Sequence, residues 1–191
     1  MTKRSETEIE IESDEQLMSL IQVHDKHAFS VLVARHSQKF YNLAYRSLFN
    51  KADAEDIVQE AFLKVWRKPE LWRPHKQTKF TTWFYRVVLN TCLDMNKKKA
   101  ITSHALEQEL EEPSEVDPSD ENSQLADLEA ALRNLPERQR TALNLCFYEE
   151  LSNQEAADIM GIRLKALQSL IMRAKANLKK TLFNVEGGEY E

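Results

Sequence analysis

Apolar residues recur at three- and four-residue steps along most of the chain, and that period predicts helices throughout. The pattern starts near Asp14, where Leu17, Leu20 and Ile21 share one face. It continues as a long stripe through Phe29, Leu32, Val33, His36, Phe40, Leu43 and Ala44. Asp53 is placed to cap the next helix, whose inner side carries Ile57, Val58, Ala61, Phe62, Val65 and Trp66. Pro69 and Pro74 mark the end of that helix and the loop after it. A further helix is predicted from about Thr81 to Lys98. Later, Leu128, Ala131, Leu132 and Leu135 precede Pro136, and Glu137 to Cys146 read as another helix. Residues 141–178 then show two amphipathic helices either side of a tight turn at Gly161. Ser152 and Glu155 form a capping box for the first, and the second opens near Leu164.

Only 3 Gly and 5 Pro interrupt the chain and β-branched runs are scarce, so the expected fold class is all-α. Two small helical domains are expected, over residues 14–100 and 125–182. Residues 101–124 hold Glu, Asp, Ser and two Pro with few apolar groups, and read as a flexible acidic linker. An acidic tail, 1–13, and a second tail, 183–191, flank the domains. No run of about 18 apolar residues occurs, so no membrane insertion is expected. The acidic start is unlike a signal peptide, which points to the cytoplasm. Cys92 and Cys146 lie in apolar patterns and are expected as buried small hydrophobes in a reducing compartment.

A net charge of −5 argues against DNA binding until its distribution is considered. Residues 26–100 hold 15 basic and 6 acidic side chains, whereas 101–129 hold 10 acidic and none basic. Phosphate binding follows the local patch, so the basic block keeps nucleic acid in view.

Candidate chemistry falls in three segments. The paired helices around Gly161 fit a helix-turn-helix, a unit whose second helix usually enters the major groove, the alternative being an ordinary helical hairpin. Ala156, Ala157, Ile159, Leu167, Leu170 and Ile171 are expected in its core. Gln168, Ser169, Met172 and Arg173 are expected to face outward toward DNA: Arg173 can pair with guanine, Gln168 with adenine or a phosphate, and Met172 can meet a thymine methyl. Arg163, Lys165 and Lys175 suit phosphates or the adjacent backbone. The second segment, FTTWFYRVVLNTCLDMNKKK, interleaves aromatics with basic and amide groups. Phe84 and Val88 are read as core, whereas Trp83 and Tyr85 fit either core or surface. Aromatics beside Arg86, Asn90 and Lys97, Lys98 and Lys99 suit unstacked single-stranded bases. The basic loop from Arg73 to Lys79, with Lys76 inside it, fits either a solvated basic loop or one that accepts a flipped-out base. In the third segment, DAEDIVQEAFLKVW, Asp56, Gln59 and Glu60 form a polar edge suited to a protein partner.

These segments, in this order, resemble the extracytoplasmic-function group of the sigma-70 family of bacterial initiation factors. DAEDIVQEAFLKVW looks like region 2.2, FTTWFYRVVLNTCLDMNKKK like regions 2.3 and 2.4, and the stretch from LPERQRTALNLC to RAKANL like region 4. The resemblance covers residues 15–100 and 125–180 and implies a factor that binds core RNA polymerase and selects promoters. Asp56, Gln59, Glu60, Phe62 and Trp66 match positions that dock on the β′ clamp helices, and the β flap is a further expected contact. Thr82, Trp83, Arg86 and Asn90 match positions that open and read the −10 element, with Arg73, Lys76, Lys79 and Lys97–Lys99 around them. Arg163, Lys165, Gln168, Ser169, Met172, Arg173 and Lys175 match the reader of the −35 element. Such factors are often held by an anti-sigma protein until a stress signal. The chain departs from many members at Gln168 and Leu170, where a basic residue is usual, and at Met95–Lys99, where arginines are common.

Two other readings compete. A stand-alone helix-turn-helix regulator accounts for 125–180 but leaves 53–99 without a role. A helical adaptor would bind polymerase without starting transcription. No nucleophile–base set, phosphate loop or metal spacing is visible, so neither an enzyme nor a cofactor is expected.

Overall fold

The computed structural model describes residues 12–73, 79–105 and 120–186, with side chains over 12–73, 79–101 and 126–182. Among the described residues every regular element is helical. The chain divides into two compact units, Met1–Asn96 and Lys97–Glu191.

In the first unit, helix α1 spans Asp14–Ile21 and buries Leu17, Met18 and Ile21. Ser13 caps it: its hydroxyl accepts from the Gln16 N–H at 3.2 Å, and the Gln16 side chain accepts from the Ser13 N–H at 2.8 Å. Asp25 then caps α2, Lys26–Leu48, by accepting from the N–H groups of His27 and Ala28. Helix α2 turns a stripe inward from Ala28 through Leu32, His36 and Phe40 to Leu43 and Ala44. Helix α3 spans Lys51–Arg67. Its cap is Asn50, not Asp53: the Asn50 side chain accepts from the Asp53 N–H at 3.0 Å. Both residues are good caps by type. The chain enters the helix directly after Phe49, which sits at φ 54°, so the start comes three residues earlier than expected. A short 3₁₀ turn, Pro69–Leu71, follows, and α4 spans Phe80–Ala105.

Aromatic rings hold this unit together. Phe84 lies 4.6 Å from Phe40, 4.8 Å from Phe62 and 5.3 Å from Phe80, centroid to centroid. Tyr85 packs 4.9 Å from Phe40 and is buried, which settles it as core. Full burial of such a ring stabilises by about 1.5–3 kcal/mol. Asp14 joins α1 to α2 by an ion pair with Arg35 at 2.6 Å and a contact with buried His36 at 2.8 Å.

The second unit contains α5, Asp120–Arg133, and α6, Glu137–Leu143. Instead of continuing as an α-helix to Cys146, the chain makes one π turn over Asn144–Tyr148. Apolar spacing cannot distinguish these, because a π turn shifts the register by a single residue. Helix α7 spans Asn153–Met160, opened by the Ser152–Glu155 capping box and closed by Gly161 at φ 63°, a left-handed conformation that suits glycine. Helix α8 runs Leu164–Glu186. Leu135, Leu143 and Ala174 form a core cluster, with Leu132, Ile171 and Leu178 packed on it. Leu167, Ala156, Ala157 and Ile159 are buried as expected, while Leu170 and Ile171 are only half-buried.

Helical structure runs into the expected linker and C-terminal tail. Helix α4 continues through Ala105 and α5 begins at Asp120, so both ends of the expected 101–124 linker are helical; residues 106–119 lie outside the described residues. Of the expected tail 1–13 only residues 12 and 13 are among those described, and there the Glu12 carbonyl accepts from Arg35 at 3.0 Å; the expected tail from 183 is helical to Glu186. No described helix is long and apolar enough to cross a membrane. Cys92 is buried, but Cys146 is only partly so, and burial raises its thiol pKa.

Candidate nucleic-acid and polymerase interfaces

Helix α4 has two distinct sides. Phe80, Phe84, Tyr85, Val88, Leu89 and Cys92 are buried. Thr82, Trp83, Arg86 and Asn90 repeat at three- and four-residue steps on the other side, with Arg86 and Asn90 exposed and Thr82 and Trp83 half-buried. Trp83 leans on the core, 5.9 Å from Phe80, so its indole is held rather than free. Lys97, Lys98 and Lys99 follow on the same helix and are exposed.

The expected base-capturing loop is closed at its base. Trp72 is buried beside Phe80, their rings 6.4 Å apart, so the two residues that bracket Arg73–Lys79 meet in the core. Arg73 and Lys79 are exposed; Lys76 lies outside the described residues.

On α3, Asp56, Gln59 and Glu60 are exposed on one strip. Phe62 is not part of it. It is 5% exposed and packed on Phe84, so its side chain belongs to the core and is not available to a partner. One residue on, Leu63 is 43% exposed and completes the strip at seven residues from Asp56. The helical register from Asp56 was the signal that would have found it. Trp66 is half-buried, braced by Phe29 at 5.1 Å and by His24 edge-on at 5.7 Å.

In the second unit the Arg163 carbonyl accepts from Ala166 and Leu167, which sets the start of α8. Lys165, Gln168, Met172, Arg173 and Lys175 are exposed on that helix, with Met172 at 67%. Ser169 is half-buried and its hydroxyl donates to the Lys165 carbonyl at 2.9 Å. That bond occupies the proton it would offer a base. The Lys175 ammonium lies 4.6 Å from the Phe147 ring centre, a cation–π contact that draws it toward the π turn. Sequence reading missed Phe147 and Tyr148, which are exposed at 53% and 45% because the π turn rotates them outward. Among the described residues no group of His, Cys, Asp and Glu is arranged to hold a metal ion.

Residues 32–101 match the family model for sigma-70 region 2, and residues 125–178 that for sigma-70 region 4. The RNA polymerase sigma-H factor of Pseudomonas aeruginosa is 32% identical over 187 residues, covering 90% of this chain and 94% of that one. The ECF RNA polymerase sigma factor SigE of Mycolicibacterium smegmatis is 36% identical over 157 residues; the match covers 79% of this chain and 60% of that relative's length. Among solved structures, CnrH in complex with the cytosolic domain of CnrY shares the fold at a TM-score of 0.69 and 24% identity, over 91% of this chain and 99% of that one. The sigma factor RpoE of Bartonella quintana, in complex with the anti-sigma factor NepR, does so at 0.67 and 22%, over 81% and 96%. The chain belongs to the extracytoplasmic-function sigma factors of the sigma-70 family.

Proposed function

We propose that this sigma factor docks on core RNA polymerase through the α3 strip of Asp56, Gln59, Glu60 and Leu63, with Trp66 at its end, and opens promoters through α4. The strip's acidic and amide groups around one exposed leucine suit a basic helical partner, as the β′ clamp helices would provide. The observation that carries the reading is the two-sided α4. An aromatic core fixes one side, while the other offers a braced indole beside Arg86 and Asn90, suited to unstacked bases of the −10 element. The loop Arg73–Lys79, pinned at its base by Trp72 and Phe80, takes a base extruded from the duplex. In the second unit, α8 reads the −35 element as duplex through Gln168, Met172 and Arg173, with Arg163 and Lys165 on phosphates. Ser169 contributes less, because its hydroxyl is tied to its own helix. The β flap contacts the second unit. An anti-sigma protein holds the factor until a signal arrives; the relative RpoE, solved with NepR, supports that regulation.

The test uses Trp83→Ala and Asn90→Ala. Each variant should bind core polymerase within about twofold of wild type, because neither residue lies on α3. Trp83→Ala should form open complexes on a −10/−35 promoter about five- to 150-fold less, since stacking on one aromatic is worth about 1–3 kcal/mol, and Asn90→Ala should also open less, through loss of its hydrogen bonds to an unstacked base. Equal loss of polymerase binding, or undiminished opening, would refute the division of labour between α3 and α4.

A further inference from the structure

Helix α4 lacks an acidic residue in its own first turn, although that end carries the partial positive charge of the helix. The charge is met from elsewhere. A carboxylate oxygen of Glu15, in the first turn of α1, accepts from the Phe80 backbone N–H at 3.0 Å across 65 residues of sequence. Glu15 is itself held in place. Ser13 fixes the start of α1 through its capping box, and Asp14 is bound to Arg35 and His36 of α2. The Glu15 backbone is therefore anchored on both α1 and α2 before its side chain reaches α4. Phe80 starts the turn that contains Thr82 and Trp83, and the Trp83 N–H bonds back to the Lys79 carbonyl at 3.3 Å.

We propose that Glu15 is a positioning residue for promoter opening: its carboxylate caps α4 from α1 and keeps Thr82 and Trp83 on a formed turn. The inference rests on the reading of α4 as the −10 surface. An uncapped first turn frays, and residues in a frayed turn no longer present one geometry. Opening a duplex demands that the indole be set before the bases leave the stack, so the cost of fraying falls on the opening step.

Glu15→Ala and Glu15→Gln separate the role from general structure, because Gln keeps a carbonyl acceptor at the same reach. In the chain alone, hydrogen exchange at the amides of residues 80–83 should be about tenfold faster in E15A and within about threefold of wild type in E15Q. With core polymerase on a duplex promoter, E15A should form open complexes about tenfold more slowly, and E15Q within about threefold of wild type. On the same promoter with its −10 segment unpaired by mismatches, E15A should recover to within about twofold. Wild-type exchange in E15A, equal losses in E15A and E15Q, or a loss that persists on the unpaired template would each overturn the proposal. The exchange measurement uses neither polymerase nor DNA. A chain that never initiates would therefore defeat the functional reading, while the capping role stands or falls on exchange.

Discussion

Single residues show where local chemistry and local conformation disagree. Glu150 follows the π turn at φ 53°, a left-handed conformation that costs a residue with a Cβ about 1–2 kcal/mol. Its side chain is exposed, so little packing is lost on removal. Glu150→Gly should raise unfolding free energy by about 0.5–1 kcal/mol in urea titration, the gain being smaller than the strain because glycine loses more entropy on folding. Asp14 adds an acid-side pH dependence to the first unit. Burial alone would raise its pKa, but the hydrogen bonds and charges of His36 and Arg35 outweigh it and hold the carboxyl below its ordinary 3.8. A depressed carboxyl contributes stability that is complete above the unfolded value and is lost as pH falls through the lower folded one. Wild type should therefore lose stability relative to Asp14→Asn as pH falls below about 4. A difference that opens on going alkaline would contradict the assignment.

At the scale of elements, spacing gave the helices and their inner faces, because a 3.6-residue period survives whatever the partner. It placed the Ser152–Glu155 cap and the Gly161 turn correctly, since both signals are strictly local. What it could not give depends on tertiary contact. Asn50 outcompetes Asp53 as a cap because the preceding chain turns at Phe49. Phe62 and Leu63 are neighbours of similar hydrophobicity, and only the packing of Phe62 on Phe84 tells which is core. That distinction has a measurable consequence on α3. Phe62→Ala should lower stability by about 3–5 kcal/mol through the cavity it leaves. Leu63→Ala should change stability by less than about 0.5 kcal/mol yet weaken polymerase binding by about tenfold. Binding unchanged in Leu63→Ala, measured by titration against core enzyme, would remove that residue from the interface.

Across the whole molecule, a net charge of −5 conceals a division of labour. Basic charge concentrates in residues 26–100 and acidic charge in 101–129, so the electrostatic footprint for nucleic acid is local. On the proposed reading, the exposed side of α4 suits bases out of the stack and that of α8 the intact major groove. On that reading neither surface selects a promoter alone; joined in one chain and bound to polymerase, they add their affinities at a fixed pair of sequences. The most direct measurement is transcription by purified core RNA polymerase on a pool of promoter fragments, with and without this chain. New start sites should require the chain, share paired −10 and −35 sequences, and disappear with Trp83→Ala. Polymerase binding without any new start site, or specific duplex binding by the chain without polymerase binding, would contradict its assignment as a promoter-opening initiation factor.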